Sequence, residues 1–389
     1  MRESIIISGV DVQDKQPQRD VRSRAGRRTV AVAGGGTAGH VNSALAIMSA
    51  YQSACGAEVY FIGCQGGFET QLVPASGFDL VIIPGTPYAR QSVLGKIRSL
   101  LTLVQGTLAA RRLLKRKQTN LVIGVGGYAS LGSILAARIL GIPCVIHEAN
   151  VFPGLANRLI GSLSARVFVG WSQASAFFSS SKTVVTGNPV RPVIAARARD
   201  LPDQEAPPGY RRILVTGGSL GSPFLNQKGP ELLARVRERG VPIAVRHQSG
   251  EGEAERLKVE YQRLGIPARV SPFIDDMAEA YREADFAIAT AGALTLAELA
   301  TFGLPALLIP LQAAAADHQM ANAKAYAEHA GTSWVEEHNW DPEELAKLVA
   351  TTLADSDALS AQARRLREMA RPDAARTLVE ECEAYLTSR

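Results

Sequence analysis

The sequence predicts an α/β protein built from two doubly wound domains, each with a parallel sheet. Its 389 residues suit two domains at ~100–200 residues each. Short, nearly continuous apolar runs alternate with longer helical segments, which is typical of parallel strands covered on both faces. A proline-rich break at residues 187–211 separates two such series, and each series opens with a strand and a glycine loop.

The first series begins at Thr29, after a polar, arginine-rich segment (1–28) that we interpret as a disordered tail. We assign this series to an N-terminal Rossmann-like domain over residues 29–190. Its predicted strands are 29–34, 58–63, 79–84, 120–126 and 143–148.

The second series is assigned to a C-terminal Rossmann-like domain over residues 191–371, followed by a helix over 372–389. Its predicted strands are 212–217, 242–248, 268–273, 286–290 and 305–310. Ligands of open α/β sheets bind at the carboxyl ends of the strands. Two such sheets that face one cleft can hold two ligands, as a group-transfer enzyme requires.

The composition narrows the class of protein. The hydrophobic fraction of 46% and charged fraction of 20% are ordinary for a globular protein. No apolar run reaches the ~18–20 residues that a membrane span needs, and no signal peptide is recognisable. The four cysteines form no CxxC pair, which favours buried thiols in a reducing compartment. We therefore expect a cytoplasmic protein.

The first glycine loop, residues 34–39, fits GxGxxG and leads to His40. A dinucleotide site also needs an acidic residue at the end of the second strand, where the sequence has Ile62, Gly63 and Cys64. The loop instead suits an anion at a helix N-terminus, although a tight turn without a ligand stays open. A histidine at the end of this turn can act as a base.

Two further glycine clusters follow predicted strands. The loop at 217–222 matches the first loop in position, and its amides and the Ser219 hydroxyl can hold a diphosphate. The cluster at 124–128 either faces the same cleft or allows a helix to pack closely on the sheet. Two glycine loops at matching places in two domains favour anion binding at both, which suits a group-transfer enzyme.

Several motifs together resemble the MurG family of glycosyltransferases. They are GGTAGH at 35–40, GVGGY at 124–128, HEAN at 147–150, GNPVR at 187–191, GGSLG at 217–221, FIDDM at 273–277, GALTLAE at 292–298 and DHQMANA at 317–323. The resemblance covers about residues 29–385 and implies the GT-B fold. It also implies an inverting transfer of N-acetylglucosamine from UDP-N-acetylglucosamine to lipid I, which gives the β-1,4 linkage of lipid II.

The resemblance implies roles for the matched residues. Arg191 would contact the nucleotide near its phosphates, Ser219 a phosphate oxygen, and Ile274 the uracil through its backbone. Glu298 would hydrogen-bond the ribose hydroxyls, and His40 would be the base that activates the acceptor. The remaining donor-side residues would be Thr37, Gly39, Ala293, Leu294, Thr295, His318, Gln319 and Asn322. The acceptor-side residues would be Gly126, Gly127, Tyr128, Glu148 and Asn150.

The chain departs from the family pattern at Ala38, where the family has glycine, and at Ser43, where it has proline. Ala149 replaces the glutamine of HEQN, and Thr290-Ala291 replaces an Arg-Ser or Arg-Ala pair. An alanine at a position that needs positive φ would cost roughly 1 kcal/mol. These changes leave room for an altered acceptor preference or a weaker activity.

No metal or other cofactor is required by this chemistry, because helix N-terminal amides and an arginine can stabilise a leaving diphosphate. Asp275 and Asp276 suggest a cap for a helix at Met277 more than a metal site. Residues 90–117 are basic, amphipathic and free of acids, which suits an anionic membrane surface or a core helix with a charged face. The family resemblance favours the cytoplasmic face of the inner membrane.

Alternative functions stay open. They are a related glycosyltransferase with another lipid or small-molecule acceptor, an epimerase-type UDP-N-acetylglucosamine isomerase, and a non-catalytic sugar-nucleotide-binding protein. Nucleic acid is not an expected partner, because residues 90–117 lack interleaved aromatic side chains for base stacking.

Overall fold

A computed structural model of the chain describes residues 27–85, 93–199, 209–311 and 318–388. In the helix that begins at residue 93, the side chains are described from residue 98 onward. Most of the predicted tail (1–26) and Arg90 of the basic segment lie outside the described residues. Arg27 and Arg28, assigned to that tail, belong to the fold instead. Arg27 donates to the Gly56 carbonyl, and Arg28 pairs with Glu383 at 2.7 Å.

The N-terminal half holds a seven-stranded parallel sheet. In chain order its strands are β1 Thr29–Ala33, β2 Glu58–Gly63, β3 Asp79–Ile82, β4 Leu121–Gly124, β5 Cys144–Glu148, β6 Arg166–Val169 and β7 Thr183–Val185. They lie side by side in the order β3-β2-β1-β4-β5-β6-β7. The helices between them are α1 Ala38–Cys55, α2 Glu69–Ala75, α3 Val93–Arg116, α4 Tyr128–Leu140 and α5 Leu155–Gly161.

The C-terminal half holds a six-stranded parallel sheet in the order β10-β9-β8-β11-β12-β13. Its strands are β8 Arg211–Thr216, β9 Ile243–Gln248, β10 Ala268–Ser271, β11 Phe286–Ala289, β12 Ala306–Leu308 and β13 Ser333–Trp334. Its helices are α6 Pro192–Arg199, α7 Pro223–Glu238, α8 Ala254–Arg263, α9 Met277–Glu283, α10 Ala293–Phe302, α11 His318–Ala330, α12 Pro342–Ala354 and α13 Ser356–Met369. The predicted α/β class with two doubly wound parallel sheets is confirmed.

Strand order explains where ligands can bind. In the first sheet β1 lies between β2 and β4, and in the second β8 lies between β9 and β11. The chain therefore continues on one side of β1, through β2 and β3, and returns on its other side with β4; it does the same around β8 with β9, β10 and β11. This change of direction opens a crevice at the carboxyl ends of β1 and β8. Both glycine loops, at 34–39 and 217–222, leave the sheet at these two points.

The last helix, α14 Ala374–Thr387, returns to the first sheet. Leu378, Val379 and Cys382 are buried in the same core as Tyr51 of α1. The chain therefore passes between the halves twice, once before α6 and once before α14. The two passages touch, because a Cβ added to Gly187 would lie 2.4 Å from the Arg371 Cβ.

Candidate functional site

The first glycine loop fixes the position and tautomer of His40. Thr37 caps α1, and its Oγ1 accepts the His40 backbone amide at 3.3 Å. The His40 Nδ1 lies 3.3 Å from the Gly35 carbonyl. A carbonyl only accepts, so Nδ1 carries the hydrogen and Nε2 keeps its lone pair. A half-buried imidazole in this tautomer can take a proton at Nε2.

The third glycine cluster packs against this loop. A Cβ at Gly126 (φ +105°) would lie 3.0 Å from the His40 Nε2, and one at Gly127 (φ +84°) would lie 2.7 Å from the Gly35 carbonyl oxygen. Tyr128, the first residue of α4, is 38% exposed beside them. Glycine is needed here both for the positive φ and for the close approach of the two loops.

Glu69, which the sequence patterns did not indicate, also holds this glycine loop in place. It opens α2, and only 1% of its surface is exposed. Its Oε2 accepts the Gly36 amide at 3.0 Å, and its Oε1 accepts the Cys64 amide at 3.1 Å. The carboxylate thus joins the glycine loop to the end of β2.

The buried Glu148 organises the loop that follows β5. Its Oε1 accepts the Asn150 amide at 2.9 Å and the Asn150 side chain at 3.1 Å. Its Oε2 accepts the Gly154 amide at 3.1 Å and the Asn157 side chain at 2.9 Å. With four donors bound, this carboxylate shapes the loop and presents the backbone of residues 149–152 to the other half.

That loop contacts the C-terminal half directly. Asn322 accepts the Val151 amide at 2.9 Å and donates to the Asn150 Oδ1 at 3.1 Å. The His318 Nδ1 lies 2.7 Å from the Phe152 carbonyl. Asn322 is fully buried, and its amide group also donates to the Ala291 carbonyl at 3.2 Å. The structure therefore brings the predicted acceptor-side and donor-side residues together.

Asn188, in the passage between the halves, reinforces this contact. Its side-chain amide donates to the Ala149 carbonyl at 3.0 Å and to the Ala293 carbonyl at 3.4 Å. Ala293 is the first residue of α10, so the Glu148 loop lies beside the N-terminus of that helix. The backbone amides of Ala293, Leu294 and Thr295 have no intrahelical acceptor, which makes this terminus suitable for an anion.

The second glycine loop is shaped by Gln248, which the sequence analysis did not single out. Gln248 is buried; it donates to the Gly218 carbonyl at 2.6 Å and accepts the Ile274 amide at 3.0 Å. It thereby joins the loop to the segment assigned to uracil. The Ile274 side chain is 3% exposed and its amide is used, so its carbonyl is the backbone group left for a base. Ser219 is half-buried in the same loop.

The half-buried Arg191 and the buried Glu298 form an ion pair. The Arg191 Nε donates to Glu298 Oε1 at 3.1 Å and its Nη2 to Oε2 at 3.4 Å. The Tyr281 hydroxyl, also missed from sequence, donates to Oε2 at 3.0 Å. Burial and the Glu298 carboxylate hold the pKa of Tyr281 well above its usual value, so the tyrosine stays a donor.

The side-chain oxygen of Gln319 already accepts two hydrogen bonds. Its Oε1 accepts the Ala291 amide at 3.1 Å and the Leu311 amide at 3.0 Å. Because two backbone donors fix the oxygen, the free group of this half-buried side chain is its NH₂, which can donate to sugar hydroxyls.

Two other histidines are structural. Burial lowers the pKa of His147 to about 4 and that of His247 to about 3. His147 Nε2 lies 3.3 Å from the Gly187 carbonyl, and His247 contacts Tyr261 and Asn226. Both are neutral at pH 7 and closed to solvent.

The departures from the family pattern have simple structural outcomes. Ala38 is the first residue of the helix α1, a right-handed conformation that carries no cost for alanine. Thr290 is buried, and its amide donates to the Thr216 carbonyl at 3.2 Å.

Asp276 caps α9 by accepting the Glu279 amide at 2.9 Å, which confirms the capping interpretation. Within the described residues no group of three or more His, Cys, Asp or Glu side chains is arranged to hold a metal ion.

Helix α3 exposes apolar side chains next to basic ones. Leu100, Leu101, Val104 and Leu108 are 47–60% exposed. The next turns expose basic residues, namely Arg111, Arg112, Lys115 and Arg116. The opposite side, with Ala110, Leu113 and Leu114, is buried in the core. None of the helices in the described part of the chain is both long and apolar enough to cross a bilayer.

Comparisons with known proteins agree with this geometry. Residues 30–169 match the glycosyltransferase family 28 N-terminal domain, and residues 212–378 match its C-terminal domain. A transferase of Methylococcus capsulatus, named UDP-N-acetylglucosamine--N-acetylmuramyl-(pentapeptide) pyrophosphoryl-undecaprenol N-acetylglucosamine transferase, is 38% identical over 91% of this chain and 98% of its own. A protein of the same name from Pseudomonas putida is 39% identical over 91% of this chain and 97% of its own.

Solved structures give the same picture. The MurG crystal structure from Acinetobacter baumannii superposes with a TM-score of 0.75 and 31% identity, over 92% of this chain and 99% of that one. A UDP-GlcNAc 2-epimerase from Neisseria meningitidis superposes with a TM-score of 0.63 and 13% identity, over 91% of this chain and 98% of that one. At that identity the second likeness concerns the fold alone.

Proposed function

This chain belongs to the MurG family, within glycosyltransferase family 28, and from that premise we propose that it transfers N-acetylglucosamine from UDP-N-acetylglucosamine to lipid I. The proposal is supported chiefly by the contact of residues 150–152 with His318 and Asn322, which Asn188 reinforces by bridging the Ala149 and Ala293 carbonyls. An acceptor loop and a donor site that touch across one cleft allow direct transfer between two bound substrates.

On the donor side we assign the diphosphate to the second glycine loop, with Ser219, and to the N-terminus of α10. Both present backbone amides to an anion. Arg191 supplies a positive charge nearby, and Glu298 accepts hydrogen bonds from a ribose diol. Gln319 donates to the transferred sugar. No step needs a metal, because these donors stabilise the negative charge that develops on the leaving UDP.

On the acceptor side we assign His40 as the general base. The acceptor hydroxyl attacks the anomeric carbon while its proton passes to the His40 Nε2. The bond from that carbon to the UDP oxygen breaks, and UDP leaves with the electron pair. Attack from the face opposite the leaving group converts the α-linked donor into a β-linked product.

The function is tested by incubating the protein with labelled UDP-N-acetylglucosamine, with and without lipid I. We expect label in a lipid-linked disaccharide and one UDP released for each product formed. A labelled UDP-N-acetylmannosamine product without acceptor would identify an epimerase instead. Transfer to other lipids with lipid I ignored would identify a different acceptor class.

We further propose that α3 places the protein on the cytoplasmic face of an anionic membrane. Its exposed leucines can enter the interface while Arg111 and Arg112 meet lipid headgroups, at ~1 kcal/mol per basic residue. We expect the double variant Arg111→Gln/Arg112→Gln to bind phosphatidylglycerol vesicles about 30-fold more weakly, as measured by vesicle co-sedimentation.

The matched control removes two exposed basic residues from the other half, Lys347→Gln and Arg364→Gln. That control should bind vesicles as the parent does. Equal loss of binding in both double variants would mean that net charge, and not α3, attracts the protein to the membrane. Unchanged binding of the α3 variant would show that Arg111 and Arg112 do not contribute to membrane binding.

A further inference from the structure

Glu69 carries a buried charge whose position is not explained by packing. The carboxylate lies against the backbones of three glycines. A Cβ would come within 2.1 Å of it at Gly35 and at Gly67, and within 2.7 Å of the Glu69 Cγ at Gly63. No ion-pair partner for it occurs among the residues that the structure describes. Within the described part of the chain, its hydrogen bonds are to the Gly36 and Cys64 amides.

An ionised carboxylate away from water and without a counter-ion is costly unless hydrogen bonds satisfy it. A shape-matched apolar side chain would avoid the cost of burying a charge, but it would leave the Gly36 and Cys64 amides without an acceptor. The charge is therefore better explained by what its two charge-assisted bonds hold in place than by stability. They hold the glycine loop at Gly36, one residue from the carbonyl that fixes the His40 tautomer.

We propose that Glu69 is a positioning residue for the transfer reaction, acting through Gly36 and the Gly35 carbonyl on His40. This inference rests on the proposed function, in which His40 is the base. With the Gly36 amide bound, the Gly35 carbonyl stays directed at His40 Nδ1, and the lone pair stays on Nε2. The same bond leaves the amides at the start of α1 as the loop groups that face a ligand.

The substitution Glu69→Gln tests this role, because it keeps the shape and replaces one acceptor oxygen by an NH₂ group facing a backbone donor. We expect kcat to fall by ~10–100-fold, as for a misplaced catalytic group. The Kd for UDP should not change, because the groups assigned to the uracil, the ribose and the diphosphate lie in the other half. Thr70→Ala, at the exposed next residue, whose hydroxyl donates to the Gly67 carbonyl and not to the glycine loop, is the matched control and should keep full kcat.

A double-variant cycle separates positioning from general damage. If Glu69 acts through His40, adding Glu69→Gln to His40→Ala should slow the enzyme no further. Additive losses, or equal losses of donor affinity, would overturn the proposal. Should Glu69→Gln fail to fold, Glu69→Asp keeps the charge and serves in the same cycle.

A readout that does not need turnover keeps the two proposals distinguishable. In ¹⁵N spectra of the parent, His40 should show a protonated Nδ1, and in Glu69→Gln a mixture of tautomers. An unchanged His40 spectrum in a folded variant would reject the positioning role, whatever the enzyme does. A parent that shows the expected spectrum but no transfer to lipid I would reject the proposed function alone.

Discussion

His40→Ala is expected to lower kcat by ~10²–10⁴-fold, the contribution typical of a positioned general base. The Nε2 lone pair, held by the Nδ1 bond to Gly35, is the proton acceptor that this variant removes. The affinity for UDP should stay at the parent value, because the groups assigned to the uracil, the ribose and the diphosphate lie in the C-terminal half. Steady-state kinetics with lipid I varied, together with UDP binding by calorimetry, measure both quantities.

His329→Ala is the matched control. This histidine also places Nδ1 on a carbonyl, that of Ala325 at 2.8 Å, but it is exposed near the end of α11. Its loss should leave kcat unchanged. If the His40→Ala enzyme keeps the parental kcat, His40 is not the general base and another group has that role.

Glu298→Ala is expected to raise the KM for UDP-N-acetylglucosamine by about 100-fold or more, since hydrogen bonds to charged groups contribute ~1.5–3 kcal/mol each. A carboxylate has about four acceptor positions, and Arg191 and Tyr281 already use three of them. A ribose diol must therefore displace Arg191 from at least one position. We infer that donor binding frees this guanidinium for the diphosphate.

Two further variants separate the effect of the ribose contact on KM from the effect of losing an ion pair. Glu298→Gln keeps the shape and one acceptor oxygen, so its KM should lie between those of the parent and Glu298→Ala. Glu279→Ala removes a half-buried, ion-paired glutamate on α9 and should leave KM unchanged. Parental KM in Glu298→Ala, with the protein folded, would show that the ribose binds elsewhere.

The fold was predictable because its strands are apolar throughout and separated by helices of ordinary length. The strands β6 and β7 were not predicted, since β7 has three residues, Thr183–Val185, at the end of a serine-rich stretch. The two-residue strand Ser333–Trp334 is also too short to produce a pattern. Such strands are defined by their neighbours in the sheet and not by their own sequence.

The candidate site was predictable where a motif is contiguous and was missed where partners are distant. Glu69 bonds Gly36 from 33 residues away, and Gln248 bonds Ile274 from 26 residues away. Gly63 and Gly67 beside Glu69 were a usable signal, because glycines crowded around an acid suggest a side chain enclosed by backbone. The commitment of Glu148 and Asn322 to internal bonds needed coordinates, since only geometry counts the donors each one binds.

The contact between Gly187 and Arg371 has a mechanical consequence. Both covalent links between the halves pass through one point, and Gly187, at φ +84°, can follow a change in backbone angle more easily than other residues. Because the two links are adjacent, we expect the halves to rotate about the region of Gly187 and Arg371. Such a rotation would widen the cleft for the sugar nucleotide while Gly187 and Arg371 stay in contact.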